Sequence, residues 1–317
     1  MRRYVLWRTA QAVGVLWAAY TLTFLLLDLL PGDPVAAMAG AGLNSTQVTP
    51  ERLAELRTQY GFDRPFLVRY ASSLGHALRG DFGDSVATGR PVADTLADAL
   101  PQTLQLTAVA LPLAVVLGAG LALAATSTRR RWLRQLLLSL PAVGISLPSF
   151  WVGLMLVQVF SFRIRLFPAF GNDGAAGLVL PAVTLALPAA VLVAQVLSKS
   201  LLAVLDEPYV QTARAKGAGR VRVQFRHALR NAALPALTVV GLLTGQLTAN
   251  AVVVEDVFSR NGLGRITTDA VTVQDIPVVQ GVVVFGALVF VTVNLLVDLA
   301  YPLLDRRIVT VGRRGPA

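Results

Sequence analysis

Four carboxylates lie within or beside long apolar stretches of this chain: Asp28, Glu255, Asp256 and Asp298. An ionisable side chain in a bilayer is costly, so each is a candidate for proton or ion coupling. Such coupling wants the group near the midplane, whereas Asp28 falls about two residues from the outer end of its stretch and Asp298 about one turn from the inner end of its own. Both therefore read as hydrated interfacial residues. Glu255 and Asp256 follow an apolar stretch, where a solvated helix end is the plain reading and a site for a peptide amino terminus the sharper one. The chain has no cysteine and only two histidines, His76 and His227, far apart in sequence. Thiolate, disulfide and cysteine-based metal chemistry are thereby excluded, and zinc chemistry is a poor fit. His76 reads as a loop residue and His227 as a helix-surface residue. No GxxxxGK[ST] phosphate loop is present, so this chain does not cradle ATP itself.

The elements that must carry these residues are membrane helices. Of 317 residues, 55% are hydrophobic and 15% charged, with a net charge of +10, against about 25% charge in an ordinary soluble domain. Charge-free stretches run over 9–27, 99–128, 135–162, 174–198, 231–254 and 276–297, each of at least 19 residues. A hydrocarbon core of roughly 30 Å needs about 20 helical residues, so the pattern predicts an all-α integral membrane protein with six transmembrane helices. The first stretch is longer than a usual signal core and lacks a small-residue cleavage pattern, so it reads as a span. Residues 1–30 then form the N-terminal tail and first span, 31–98 an extracytoplasmic helical loop, and 99–317 the other five spans with a cytoplasmic loop at 206–230.

Basic residues set the orientation. Lys and Arg number 3 before the first span, 4 in 129–134, 7 in 199–230 and 4 in 306–317, against 4 in the two short loops on the other side. The positive-inside rule places both termini in the cytoplasm. The remaining 6 lie in the long first loop among 8 acidic residues, and long loops largely escape the rule. Topology thus accounts for the positive charge. No basic patch interleaved with stacking aromatics points to nucleic acid.

Within the long loop, Leu53, Leu56 and Tyr60, then Phe66, Tyr70, Leu74 and Leu78, recur at helical spacing and predict two short amphipathic helices over 50–60 and 65–78. Residues 80–85 read as a turn, and a polar helix follows Pro91 towards the second span. Such a loop caps the outer helix ends or meets a docking partner.

The cytoplasmic loop is the most patterned segment. Arg222, Arg226 and Arg230 recur every four residues beside an apolar stripe of Val221, Phe225, Ala228 and Leu229, which predicts an amphipathic helix. Before it, Ala213, Ala215, Gly217, Ala218 and Gly219 keep side-chain volume small, so another backbone can approach closely. By pattern alone, a surface helix lying on anionic lipid explains the arginines equally well.

Prolines 141, 148, 181, 188 and 235 interrupt or open spans, which a membrane tolerates where freed carbonyls find neighbours or a wet cavity. Ser146, Pro148, Ser149, Phe150 and Trp151 therefore mark a kink in the third span that lines a pathway. Gln246, Thr248 and Asn250 are spaced by two and cannot all share one helix face, so some line the pore and others bond between helices.

The loop motifs TARAKG at 212–217 and HALRNAALP at 227–235 resemble the cytoplasmic coupling motif of ATP-binding-cassette importer permeases, specifically the oligopeptide and dipeptide branch. The resemblance extends through PGDP at 31–34, YGFDRP at 60–65, RGDFGDS at 79–85, LPAVTLALP at 180–188, VVVEDVF at 252–258, NGLGR at 261–265 and NLLVDLAYPLLDRRI at 294–308. Gln211, Thr212 and Ala213 stand where the wider superfamily has Glu-Ala-Ala, which is similar to the peptide branch. Thr248, Ala249 and Asn250 stand where many relatives carry small or glycine residues, Asn261 replaces a usual proline, and Asp305, Arg306 and Arg307 replace Asp-Pro-Arg.

The resemblance implies a type I importer permease of a prokaryotic inner membrane, forming half of a peptide pathway. Its implied partners are a second homologous permease, two ATPase domains on one or two chains, an extracytoplasmic substrate-binding protein, peptide substrate and membrane lipid, with no nucleic acid. It implies no cofactor in this chain, since ATP and Mg belong to the ATPase subunits. It also implies ATPase coupling through Tyr209, Thr212, Ala213, Arg214, Ala215, Lys216, Gly217 and Ala218. Pathway candidates are Ser146, Ser149, Phe150, Gln246 and Asn250. A proton-coupled secondary transporter is the rival from another class, and it would need central carboxylates. A membrane enzyme would need a nucleophile, metal ligands or paired carboxylates, and none stands out.

Overall fold

A computed structural model describes residues 2–29, 51, 54, 57, 58, 63–172 and 174–304. Among them the chain is helical apart from turns and one isolated β-bridge, Asp84 to Pro91. Ten helices are used below: α1 Arg2–Asp28, α2 Phe66–Ala77, α3 Val92–Ser127, α4 Arg131–Ser146, α5 Ser149–Arg163, α6 Ala176–Leu205, α7 Pro208–Ala215, α8 Arg220–Val257, α9 Leu263–Thr272 and α10 Ile276–Leu304. Five of them are long and apolar enough to cross a membrane, and the bent pair α4 and α5 makes a sixth span if counted as one.

The expected third span is therefore not one straight helix: α4 and α5 meet at 101°. The cause is local. Leu147 precedes a proline, which drives it out of the helical region to φ −91 and ψ 122, and Pro148 continues extended at ψ 134. Pro141, Pro181, Pro188 and Pro235, by contrast, sit inside continuous helices. The polar helix expected after Pro91 is not separate either; α3 runs unbroken for 36 residues from Val92 into the second span. The predicted helix at 65–78 is α2, although Leu78 lies past its end and is exposed. The one expected at 50–60 falls mostly outside the described residues.

The chain forms two compact units, Met1–Thr103 with Ser259–Thr292, and Leu104–Phe258 with Val293–Ala317. In the first, Val92, Leu96 and Ala99 of α3 pack with Leu263 and Ala270 of α9 and Val278, Val279 and Val282 of α10. α2 docks on α1 through aromatic edges, with Phe24 at 5.6 Å from Phe66 and 5.4 Å from Tyr70 between ring centroids. The Arg69 guanidinium sits 5.5 Å from the Phe24 ring centre, a cation–π contact; partial burial lowers its pKa.

The RGDFGDS motif is a tight turn in this unit. The Gly83 amide donates to Asp81 Oδ1 at 2.9 Å, and Ser85 N and Val92 N donate to Arg90 O and Gly83 O. Ser85 and the Ala87 amide donate to the buried carboxylate of Asp275, whose Oδ1 also accepts from Val278 N in the first turn of α10. The NGLGR turn is held on α3, where Thr103 Oγ1 accepts from Leu263 N at 2.9 Å and Gln102 Oε1 from Arg260 Nη2 at 3.3 Å.

The second unit is built on α6, which buries most of its length against α3, α5 and α8. Its core is rich in alanine: Ala110, Ala114, Ala182, Ala186, Ala189, Ala190 and Ala251 accompany Leu106, Val193, Leu243 and Leu247. In lipid, helices associate by close van der Waals packing, which small residues permit. Gly118 shows how close: a Cβ there would stand 2.5 Å from the carbonyl oxygen of Ala190.

Candidate coupling site and pathway face

The loop expected on the cytoplasmic side folds as a short helix followed by a turn. Glu207 is extended and Pro208 opens α7 at its first position, where a missing amide costs no helical hydrogen bond. α7 ends in a Schellman turn: Gly217 N donates to Arg214 O at 2.9 Å and Ala218 N to Ala213 O at 3.1 Å, with Gly217 at φ +84. The glycine is thus required by backbone conformation, and a Cβ at that position would meet nothing of this chain within 4 Å.

One residue anchors α7 inward and the motif faces outward. Val210 is fully buried. Thr212, Arg214, Ala215, Lys216 and Gly217 are exposed, Ala213 and Ala218 half-buried. Tyr209 ties the helix sideways: its hydroxyl donates to His227 O at 3.2 Å and accepts from Asn231 Nδ2 at 2.9 Å. The eight expected coupling residues therefore form one short, tethered knob.

The expected amphipathic helix is corrected in two respects. It is not a separate element but the start of α8, 38 residues that continue into the fifth span. The apolar stripe of Val221, Phe225, Ala228 and Leu229 is also split: Val221 and Phe225 are 68% and 56% exposed and Leu229 is half-buried, while Ala228 is buried together with Val223 and Gln224. Residues Val223–Ala228 form a π-helical stretch, whose wider turn shifts the phase set by 3.6-residue spacing. Arg222, Arg226 and Arg230 all remain exposed.

Of the residues expected to line the pathway, Ser146 is exposed and Ser149 half-buried, and Phe150 is 50% exposed, with the neighbouring Trp151 44% exposed, at the α4–α5 break. Gln246 and Asn250, one turn apart on α8, are exposed on the face that also carries Leu242 and Val253. Thr248 turns away, half-buried and bonded to Thr244 O at 3.3 Å. α5 and α8 pack directly, since a Cβ on Gly153 would lie 3.2 Å from Val257 Cγ1. No hydrogen bond joins the serine pair to the amide pair among the described residues.

Two residues are buried against what their polar side chains suggest. Glu255 is fully buried within α8 and is no solvated helix end, whereas the neighbouring Asp256 is exposed. Gln224 stands four positions before Ala228, on the side of the helix away from Arg222, Arg226 and Arg230, and is buried with that alanine; its polarity hides it in the sequence.

The family model described as "Binding-protein-dependent transport system inner membrane component" matches residues 98–310, and "Binding-prot-dependent transport system membrane comp, N-term" matches 1–107. The chain is 38% identical over 301 residues to the glutathione transport system permease protein GsiC of Salmonella paratyphi A, covering 95% of this chain and 97% of that protein. It is 36% identical over 301 residues to the protein of the same name from Escherichia coli strain K12, with the same coverage. Among solved structures, an inward-facing MetNI methionine ABC transporter chain matches with TM-score 0.58 at 17% identity, covering 67% of this chain and 97% of that one. At that identity the likeness is one of fold.

Proposed function

The chain belongs to the binding-protein-dependent transport system inner membrane components and is a permease subunit of an ABC importer, and from that premise we propose that it carries short peptides through a pathway shared with a second permease. The permeases named above act on glutathione, a tripeptide, and the 95% coverage of this chain supports the same substrate class. Permeases of this family work with ATPase and substrate-binding partners. The proposed complex has two ATPase domains, which hold ATP and Mg, and an extracytoplasmic binding protein; this chain contributes no cofactor and no ATPase site. Both termini and α7 face the cytoplasm, as the basic residues of 129–134 and 199–230 support.

The observation that carries the proposal is the α7 knob. Thr212, Arg214, Ala215, Lys216 and Gly217 are exposed on an element that Val210 and Tyr209 hold from behind. That is the geometry of a part made to be gripped by another protein. ATP-driven closure of the ATPase pair moves the knob, and the permease pair exchanges an inward-open cavity for an outward-open one. Ser146, Ser149, Phe150, Gln246 and Asn250 line the cavity in this proposal. The support is that two amides share an exposed face of an apolar helix, where lipid alone would satisfy neither.

The test is reconstitution. Vesicles holding this chain, a second permease and the ATPase subunits should take up glutathione or a dipeptide only with ATP and binding protein together. Uptake by this chain alone under a proton gradient would favour the secondary transporter instead.

A further inference from the structure

Gln224 is the most deeply buried amide of the cytoplasmic segment, 3% exposed, and its Nε2 donates to two atoms of another helix. These are Leu123 O at 3.0 Å and Thr126 Oγ1 at 2.8 Å, both in the last turn of α3 and about a hundred positions away in sequence. Thr126 sends its own proton to Ala122 O at 2.8 Å, so its lone pair is oriented to accept. Nearby, Arg220 Nη1 donates at 3.4 Å to Ser127 O, one of the terminal carbonyls that a helix end leaves without an intrahelical partner.

These bonds arise where the helix is irregular. Gln224 is the second residue of the π stretch Val223–Ala228, and π insertions are frequent at functional positions. Around it Ala122, Leu197, Leu201, Ala228, Ala232 and Ala236 make a small apolar core with Leu123 beside it. Packing there is supplied by apolar side chains. The amide adds a directional link that packing cannot.

The links are in series. α7 is tied to α8 by Tyr209 at His227 and Asn231. The start of α8 is in turn tied to the end of α3 by Gln224 and Arg220. We infer that Gln224 is a positioning residue of the coupling machinery: it clamps the π stretch of α8 to the last turn of α3, so that displacement of α7 is delivered to that span. The inference rests on the proposal that α7 is the ATPase-docking element. Relaxing the π stretch to α-helix would remove the extra residue in that turn and rotate Gln224 away from Leu123 and Thr126. The clamp and the irregular turn thus belong together.

The experiment measures ATP hydrolysed per peptide imported in vesicles holding the complete complex. Gln224→Met keeps the volume and loses the donor; Thr126→Val loses the acceptor; Thr126→Ser keeps it. Expected for Gln224→Met is normal assembly with the ATPase and a ratio raised roughly fivefold or more, the lower end of typical allosteric coupling. Thr126→Val should move the ratio in the same direction, and Thr126→Ser should stay near wild type. Less assembled complex at an unchanged ratio, in both Gln224→Met and Thr126→Val, would assign Gln224 to structure alone and overturn the inference. Failure of the unmutated chain to bind ATPase subunits would instead overturn the underlying proposal, so the two failures are distinguishable.

Discussion

The hydroxyl of Ser85 donates a 2.6 Å hydrogen bond to Oδ2 of Asp275, joining residues 190 positions apart, both nearly inaccessible to solvent. Asp275 follows Gln274, a non-glycine residue at φ +54, in a turn where Asp275 N reaches back to Ala270 O at 2.8 Å. The aspartate thereby closes α9, opens α10 and holds the turn after RGDFGDS.

Removing that acceptor leaves Ser85 Oγ and the Ala87 amide without it. A buried group stripped of its partner costs about 1–3 kcal/mol. Asp275→Ala should lower the Tm of the detergent-solubilised chain, and Asp275→Asn, which keeps one acceptor oxygen, should lower it less. Equal Tm values for the two variants would show that the carboxylate does not hold this turn.

Gly118→Val should be more damaging than substitutions at open glycines of the same helix. Its Cβ would press on the Ala190 carbonyl and on Val193 Cβ at 2.8 Å, and backbone cannot swing aside. Overpacking of this kind costs about 1–3 kcal/mol. Gly120, where an added methyl group would meet nothing within 4 Å, is the control. Thermal unfolding of Gly118→Val and Gly120→Ala side by side decides the point.

At Gly217 two effects separate. A β-branched residue at φ +84 is strained within this chain alone, by about 1–2 kcal/mol, while asparagine tolerates that region. Gly217→Asn should therefore preserve the isolated chain's stability, and Gly217→Val should not. Gly217→Trp adds bulk on the outward side and should abolish ATPase docking, measured by co-purification, whereas Arg222→Ala should be mild. Wild-type uptake with Gly217→Trp would remove α7 from the coupling role.

Topology can be read with single cysteines, since the chain has none of its own. Leu78→Cys, at a site 81% exposed, and Arg222→Cys, also at an exposed site, should react with an impermeant maleimide from opposite faces of the membrane. Labelling of both from outside intact cells would contradict the orientation set by the basic residues.

Spans are legible in the sequence because a bilayer demands long uncharged runs, and the break at Leu147 is signalled by Pro148. Other features are not legible, each for a physical reason. The π stretch at Val223–Ala228 interrupts the period by which Val221, Phe225, Ala228 and Leu229 read as one stripe. The Ser85–Asp275 bond depends on a fold that brings distant turns together, which spacing along the chain does not encode. Glu255 follows a charge-free run that ends at Val254, yet α8 continues past it to Val257 and buries it. Gly217 stands out in sequence for its small size; the structure adds a left-handed turn that size alone does not announce.

The exposed amides of Gln246 and Asn250 also bear on the life of the chain before assembly. With α8 placed as a span, a solitary copy would present both to hydrocarbon, where an unsatisfied amide costs about 4–8 kcal/mol. The second permease proposed above, or a wet cavity between the two, would relieve that cost. On that proposal an orphan subunit carries an uncompensated polar face, which disfavours its persistence in the bilayer. If α8 faces a second permease as proposed, the half-life of the chain should lengthen when that partner is co-expressed, and Gln246→Leu with Asn250→Leu should blunt that difference.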